Sequence, residues 1–404
     1  MYDLTLTPEQ VEFRETVRDF VEAEVKPAAL NPKRLEPFEK PLLAGLLDKA
    51  SQMGLRTLAL AEEAGGAGAD GLTSCIVMEE LGAGDVDLAA VLAQTATLAH
   101  VLFDRVMTPE QRARFLPEFI KDDHYHLACA GRDPGADAGW SYHRPLVESD
   151  ALPAAVKQGR EWVINGSLAF VANAAVAKLI AVQARTGASG LATLLVPRGT
   201  PGLTVREPLR AIGEVIRWHH GAGAGVTFKD CRVPAENALG GSAPALAAEL
   251  ARGVPPLAAV NLGLGRAAFD AAVDYSKIRR QGGRNIIEHQ AIGTKLADCA
   301  IRLELARSII WKAAWALDHP GAVADGSETH LPLPVVARVY TAQAVNEVAL
   351  LAAECFGAMG VMRDMPLQKY VHDSMVFLHS EDTDGAAKLA VAEAVAGYQR
   401  PLAA

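Results

Sequence analysis

Basic charge, cysteine and aromatic residues are all in short supply. Against 48 aspartates and glutamates the 404-residue chain sets 39 lysines and arginines, a net charge of -9. Phosphate backbones bind clustered Lys and Arg, so this balance argues against nucleic acid as the main partner. The five cysteines, Cys75, Cys129, Cys231, Cys299 and Cys355, are scattered. They read as reduced core thiols, with neither a disulfide framework nor metal-ligand spacing. The opening MYDLTLTPEQ carries no basic-then-apolar leader and no Arg-rich presequence, and no run approaches a membrane span. The expectation is a soluble, cytoplasmic protein without membrane contact or metal. Half of the residues are apolar, which at this length supports a large core shared by two or three domains.

Three textures follow one another. Residues 1–123 read as helical: Thr7-Pro8-Glu9-Gln10 and Thr108-Pro109-Glu110-Gln111 both offer a hydroxyl cap, a proline at the first helical position and a glutamine able to close a capping box. Residues 124–240 change to short β-branched and aromatic runs, such as Trp162-Val163-Ile164 and Val226-Thr227-Phe228, with Asn165-Gly166 as a hairpin signal. Residues 241–404 return to helix after a Pro/Ala-rich stretch near Pro244 to Pro256. The pattern predicts an α+β chain with a helical domain, a middle antiparallel β-barrel or sandwich, and a second helical domain.

The most informative stretch lies near the C-terminus. Gly357 and Gly360 interrupt a helix, an amphipathic helix follows from about Met365 to Leu378, and the turn Ser380-Glu381-Asp382-Thr383 precedes an Ala-rich helix. Glycine supplies the backbone freedom to end one helix, and Asp382, Thr383 and Asp384 are good caps for the next. An acid in this turn is thereby placed by two helix ends. On its own, Glu381 reads equally well as a solvated acid favoured by a helix N-terminus.

The runs Glu354-Cys355-Phe356-Gly357-Ala358-Met359-Gly360, Pro366-Leu367-Gln368-Lys369 and Ser380-Glu381-Asp382-Thr383 resemble, without a gap, the C-terminal signature of the acyl-CoA dehydrogenase family. So do Phe228-Lys229-Asp230-Cys231-Arg232-Val233-Pro234 at the end of the middle region, and Tyr275 to Gly283 with Glu288-His289-Gln290 beyond it. The resemblance spans the chain in order, and it implies that the C-terminal helical domain is a four-helix bundle. It implies FAD as cofactor, removal of an α-proton from an acyl-CoA thioester by Glu381, and hydride transfer from the β-carbon to the flavin. An electron-transfer flavoprotein as acceptor and a homotetramer built as a dimer of dimers are further implications.

By the same resemblance Gly131, Arg132 and Ala138 occupy one flavin motif and Phe170 and Ala172 another. Arg279 and Gln290 reach the dinucleotide of a neighbouring subunit, and Glu354, Gly357, Ala358 and Thr383 complete the set. Both flavin motifs are worn: Arg132, Asp137, Ala138 and Ala172 stand where the family has Thr, Gly, Ser and a hydroxyl. Main-chain contacts survive such changes, and a hydroxyl contact contributes only about 1 kcal/mol. Two alternatives stay open, a flavoenzyme of this scaffold with desulfinase-like or monooxygenase-like chemistry and a flavin-free paralogue. Asp85 and Asp87, after Gly84, read first as helix caps and second as substitute bases. His219-His220, ahead of a Gly-rich run, read as a mobile loop near the acyl-CoA tail.

Overall fold

The computed structural model describes residues 5–31, 42–131, 152–187, 190–206, 219–240, 246, 255–324, 330–362, 364–379 and 385–397. Both predicted capping boxes form. Thr7 opens α1 (Pro8–Phe20) and Thr108 opens α5 (Pro109–Lys121), each accepting from the glutamine N–H three residues on while that glutamine side chain returns to the cap. Between them lie α2 (Ala44–Gln52), α3 (Gly71–Gly84) and α4 (Val86–Ala99).

The sheet follows. Strands β1 (His126–Ala130), β2 (Ala154–Gln158), β3 (Glu161–Val171), β4 (Ala177–Thr186), β5 (Gly190–Pro197), β6 (Leu203–Arg206) and β7 (Ala224–Pro234) run in the order β1-β4-β2-β3-β7-β6, with β5 also on β4. Its pairings are antiparallel except that β4 runs parallel to both β1 and β2. Asn165-Gly166 is not a hairpin turn. It lies within β3 at a register shift against β7, with Gly166 at φ 138, and the β2–β3 hairpin instead turns at Gly159, φ 62. The bulge uses the glycine that the turn reading had claimed. Ile164, Val182, Val196, Val226 and Phe228 form the core of the sheet domain.

The long helices α6 (Pro255–Ile278), α7 (Gln290–Asp318) and α8 (Leu333–Phe356) pack together, with α9 (Leu367–Leu378) and α10 (Gly385–Ala396) beside them. α8 ends because Gly357 takes φ 58, ψ -135, a region open essentially to glycine. The expectation that no run approaches a membrane span does not hold by composition: Val86–Val106 and Leu333–Val361 are long and apolar enough to cross one. The first is mostly buried inside the protein, and the second packs on α6, α7 and α9.

α3 and α6 join the first helical region to the last. A Cβ on Gly82 would lie 2.2 Å from the Val260 carbonyl oxygen, and one on Gly263 2.1 Å from that of Glu79, so only glycine permits this approach. Beside the crossing, buried Glu80 accepts from Arg18 at 2.7 Å and from Arg266 at 2.7 and 2.5 Å, and Glu79 accepts from Arg307 at 2.8 Å. Burial pushes the Glu80 carboxyl up, but the hydrogen bonds from Arg266 and Arg18 outweigh it and leave the pKa below its ordinary value.

Candidate active site

The end of β3 supplies an aromatic ring and a small residue. Phe170 is 39% exposed and stacks on His219, ring centroids 3.8 Å apart. Gly223 gives it room, since a Cβ there would come within 2.0 Å of the ring. Half-buried Ala172 leads into Asn173, which turns the chain at φ 61, a conformation Asn tolerates. The Asn173 amide donates to the Val91 carbonyl oxygen at 3.0 Å and to that of Leu127 at 3.4 Å, tying the strand end to α4 and β1. Gly131 follows β1, where a Cβ would meet Gln183 Oε1 at 2.6 Å. Arg132 and Ala138 lie outside the described residues.

Where α4, α9 and the segment before β7 meet, charge is buried. Asp85 Oδ1 caps α4 by accepting from the Leu88 N–H at 3.0 Å, and Asp87 Oδ1 accepts from the Gly221 N–H at 3.0 Å. Lys369 Nζ lies 2.5 Å from Asp373 Oδ2 and 4.0 Å from Asp85 Oδ2. Burial pulls this ammonium's pKa down, but the Asp373 and Asp85 carboxylates outweigh it and hold the value above that of an ordinary lysine. His220 is not part of a mobile loop: Nδ1 is 3.3 Å from Asp87 Oδ1, and Nε2 is 3.0 Å from the Asp373 carbonyl oxygen. The helix cap read for Asp85 is observed. Glu381 and Thr383 lie outside the described residues, two and four positions past the last described residue of this segment, His379.

The remaining expected cofactor residues form an exposed group. Arg279 follows α6 and Gln290 opens α7. Between them, β8 (Arg280–Gln281) and β9 (Arg284–Asn285) make a two-residue hairpin at Gly282, φ 58, and Gly283, φ 81. Such a turn requires positive φ at both centres, which Gly282 and Gly283 supply. Glu354 is ion-paired with Lys295 on α7, and Gly357 and Ala358 are exposed in the turn after α8.

These residues fit a flavin dinucleotide. Among the described residues the Arg279 guanidinium makes no ion pair, and an exposed, unneutralised Arg suits a diphosphate. Gly131 and Ala172 are small enough for close approach to main chain, and Phe170 offers an exposed ring. No group of three or more metal-ligating side chains occurs among the described residues. Of this charged cluster the sequence singled out Asp85, Asp87 and His220, but not their meeting with Lys369 and Asp373. Its signal was the Lys369–Asp373 spacing of four on one helix face, but nothing in the sequence placed Asp85, Asp87 and His220 beside that face.

Family models for the acyl-CoA dehydrogenase N-terminal, middle and C-terminal domains match residues 7–123, 148–222 and 242–396. The short-chain specific acyl-CoA dehydrogenase of Bos taurus mitochondria is 30% identical over 389 residues, covering 94% of this chain and 88% of its own. The mitochondrial isobutyryl-CoA dehydrogenase of Dictyostelium discoideum is 28% identical over 395 residues, covering 96% of this chain and 89% of its own. Among solved structures, butyryl-CoA dehydrogenase from Megasphaera elsdenii superposes with a TM-score of 0.82 at 25% identity, covering 98% of this chain and all of its own. PigA with FAD and proline gives the same score and 98% coverage at 20% identity, with 99% of that chain covered, a likeness of fold alone.

Proposed function

Since the chain belongs to the acyl-CoA dehydrogenase family, we propose that it oxidises an acyl-CoA thioester to the 2-enoyl-CoA, with FAD as cofactor and Glu381 as the base. The observation that carries this reading is the seat of α9. α9, which precedes Glu381 in the chain, is buried along Lys369, Tyr370, Asp373, Ser374 and Val376, and it is anchored by Lys369 on Asp85 and by Asp373 and Phe377 on His220.

When bound, FAD accepts the hydride leaving the β-carbon. Glu381 removes the α-proton as a carboxylate and carries it as a carboxylic acid. Its main-chain N–H would donate to the thioester oxygen as charge develops there. Arg279 and the main chain at Gly131 and Ala172 would hold the dinucleotide, with Phe170 against the ring system. Asp85 and Asp87 accept from the Leu88 and Gly221 N–H groups and face Lys369 and His220, which supports Glu381 as the base over either of them.

A short or branched acyl group is the first substrate class to try, given the relatives named above. Electrons pass on to an electron-transfer flavoprotein. The chain assembles as a dimer of dimers, to which exposed Ile301, Leu305 and Leu350 on α7 and α8 lend apolar surface.

Anaerobic mixing of the yellow protein with butyryl-CoA and isobutyryl-CoA tests the reading, with bleaching of the flavin expected and Glu381→Gln abolishing it. Bleaching at full rate in Glu381→Gln would refute the base. A yellow protein that no acyl-CoA bleaches would favour other flavin chemistry, and a colourless one that FAD cannot reconstitute would favour a flavin-free paralogue.

A further inference from the structure

His220 sits among groups that only accept. The Asp373 carbonyl oxygen lies 3.0 Å from Nε2 and Asp87 Oδ1 lies 3.3 Å from Nδ1. Asp87 Oδ1 is already an acceptor for the Gly221 N–H. A neutral imidazole has one N–H and one lone pair, so it satisfies one of these partners and sets its lone pair against the other. The imidazolium donates to both. Among the described residues, Asp85 and Asp87 from the α4 end and Asp373 from α9 lie around the Lys369 ammonium. His372, 32% exposed on the far side, comes within 3.4 Å of Asp373 Oδ1, and His219 is turned onto Phe170. The His220 ring also packs 4.2 Å from that of Phe377, in the last turn of α9, with its side chain only 8% exposed.

We infer that His220, as an imidazolium, is a positioning residue that straps the last turn of α9 to Asp87 of α4. Its catalytic consequence rests on the reading of Glu381 as base, because the chain runs from Phe377 to Glu381 in four residues. Losing either of its two bonds loosens that turn, so the rate of proton abstraction falls. Asp87→Asn, which weakens the charge-assisted bond to the ring, should act in the same direction and to a smaller extent.

The test uses the full-length, FAD-loaded protein, its His220→Gln, Asp87→Asn and His372→Gln variants, and two readouts. The first is amide hydrogen exchange in residues 375–379, and the second is single-turnover flavin bleaching by butyryl-CoA, its limiting rate read separately from the half-saturating concentration. His220→Gln should speed exchange in that turn and slow the limiting rate by about tenfold to a hundredfold, the cost of slight misplacement, with half-saturation little changed. Asp87→Asn should move both readouts the same way by less, and His372→Gln should leave them in place. Unchanged exchange in His220→Gln, or a limiting rate that Asp87→Asn leaves unmoved, would overturn the assignment. Should Glu381→Gln bleach at full rate, the base assignment fails, and hydrogen exchange alone still decides whether His220 holds the helix.

Discussion

Replacing Lys369 with methionine removes the one lysine ammonium from a pocket that holds two carboxylates close to it. The side chains of Lys369, Asp373 and Asp85 are 4%, 7% and 1% exposed. Water cannot take over the role of the lost cation. Methionine fills nearly the same volume, so no large cavity is left and the effect is chiefly electrostatic. Removing one partner of a buried ion pair costs about 3–5 kcal/mol, because the remaining charge is stranded. Asp85 keeps its capping bond to the Leu88 N–H, so most of the loss falls on Asp373. The double variant Lys369→Met with Asp373→Leu should recover about half of the loss, since a well-packed apolar pair replaces a buried ionic one at little net cost.

The sign of the pH dependence is distinctive. In Lys369→Met the buried Asp373 carboxyl, deprived of the lysine ammonium, prefers its neutral form when folded, so its folded pKa stands above the unfolded value. The penalty is therefore full near neutral pH and fades as acid protonates the group. Urea unfolding followed by far-UV circular dichroism at about pH 7 and about pH 5 measures both quantities. A loss below about 1 kcal/mol, the range of a surface pair, would refute the argument, and so would a double variant less stable than the single one.

His126 is 2% exposed, and burial, helped by the nearby Arg56 cation, brings its pKa from 6.5 to about 4. A folded value below the unfolded one gives stability that is whole above pH 6.5 and lost as pH falls towards 4, about 3 kcal/mol in all. His126→Gln should flatten the stability curve in that window, and an unchanged slope in urea midpoints would count against the assignment. Gly263→Ala, whose Cβ would meet the Glu79 carbonyl oxygen at 2.1 Å and the Ala83 nitrogen at 2.7 Å, should cost about 3 kcal/mol or more. Gly45→Ala, with nothing within 4 Å of its Cβ, should gain up to about 1 kcal/mol. Thermal melts of the two variants should move in opposite directions.

Helix starts were legible because they are local: Thr7 and Thr108 each carry the cap, the proline and the glutamine within four residues, and both boxes form. The helix, sheet, helix order was legible in periodicity, and the family in motifs whose spacing covers the chain. Asn165-Gly166 misled because the same dipeptide serves a turn or a bulge, and pairing with β7 across some sixty residues decided the matter. The role of Gly282 and Gly283 is visible only in the hairpin, whose two central residues need positive φ. The long apolar helices Val86–Val106 and Leu333–Val361 satisfy a membrane criterion by composition, and only their neighbours show that they serve a protein core.

The meeting of Asp85, Asp87 and His220 with Lys369 and Asp373 was decided by tertiary structure alone. These residues come from segments far apart in the chain, and a charge says nothing by itself about whether it will be solvated or buried against another. Sequence sets the local preferences of each segment, because those depend on residues a few positions away. Which charges meet, and which of them water can no longer reach, depends on how α4, α9 and the strand end close on one another.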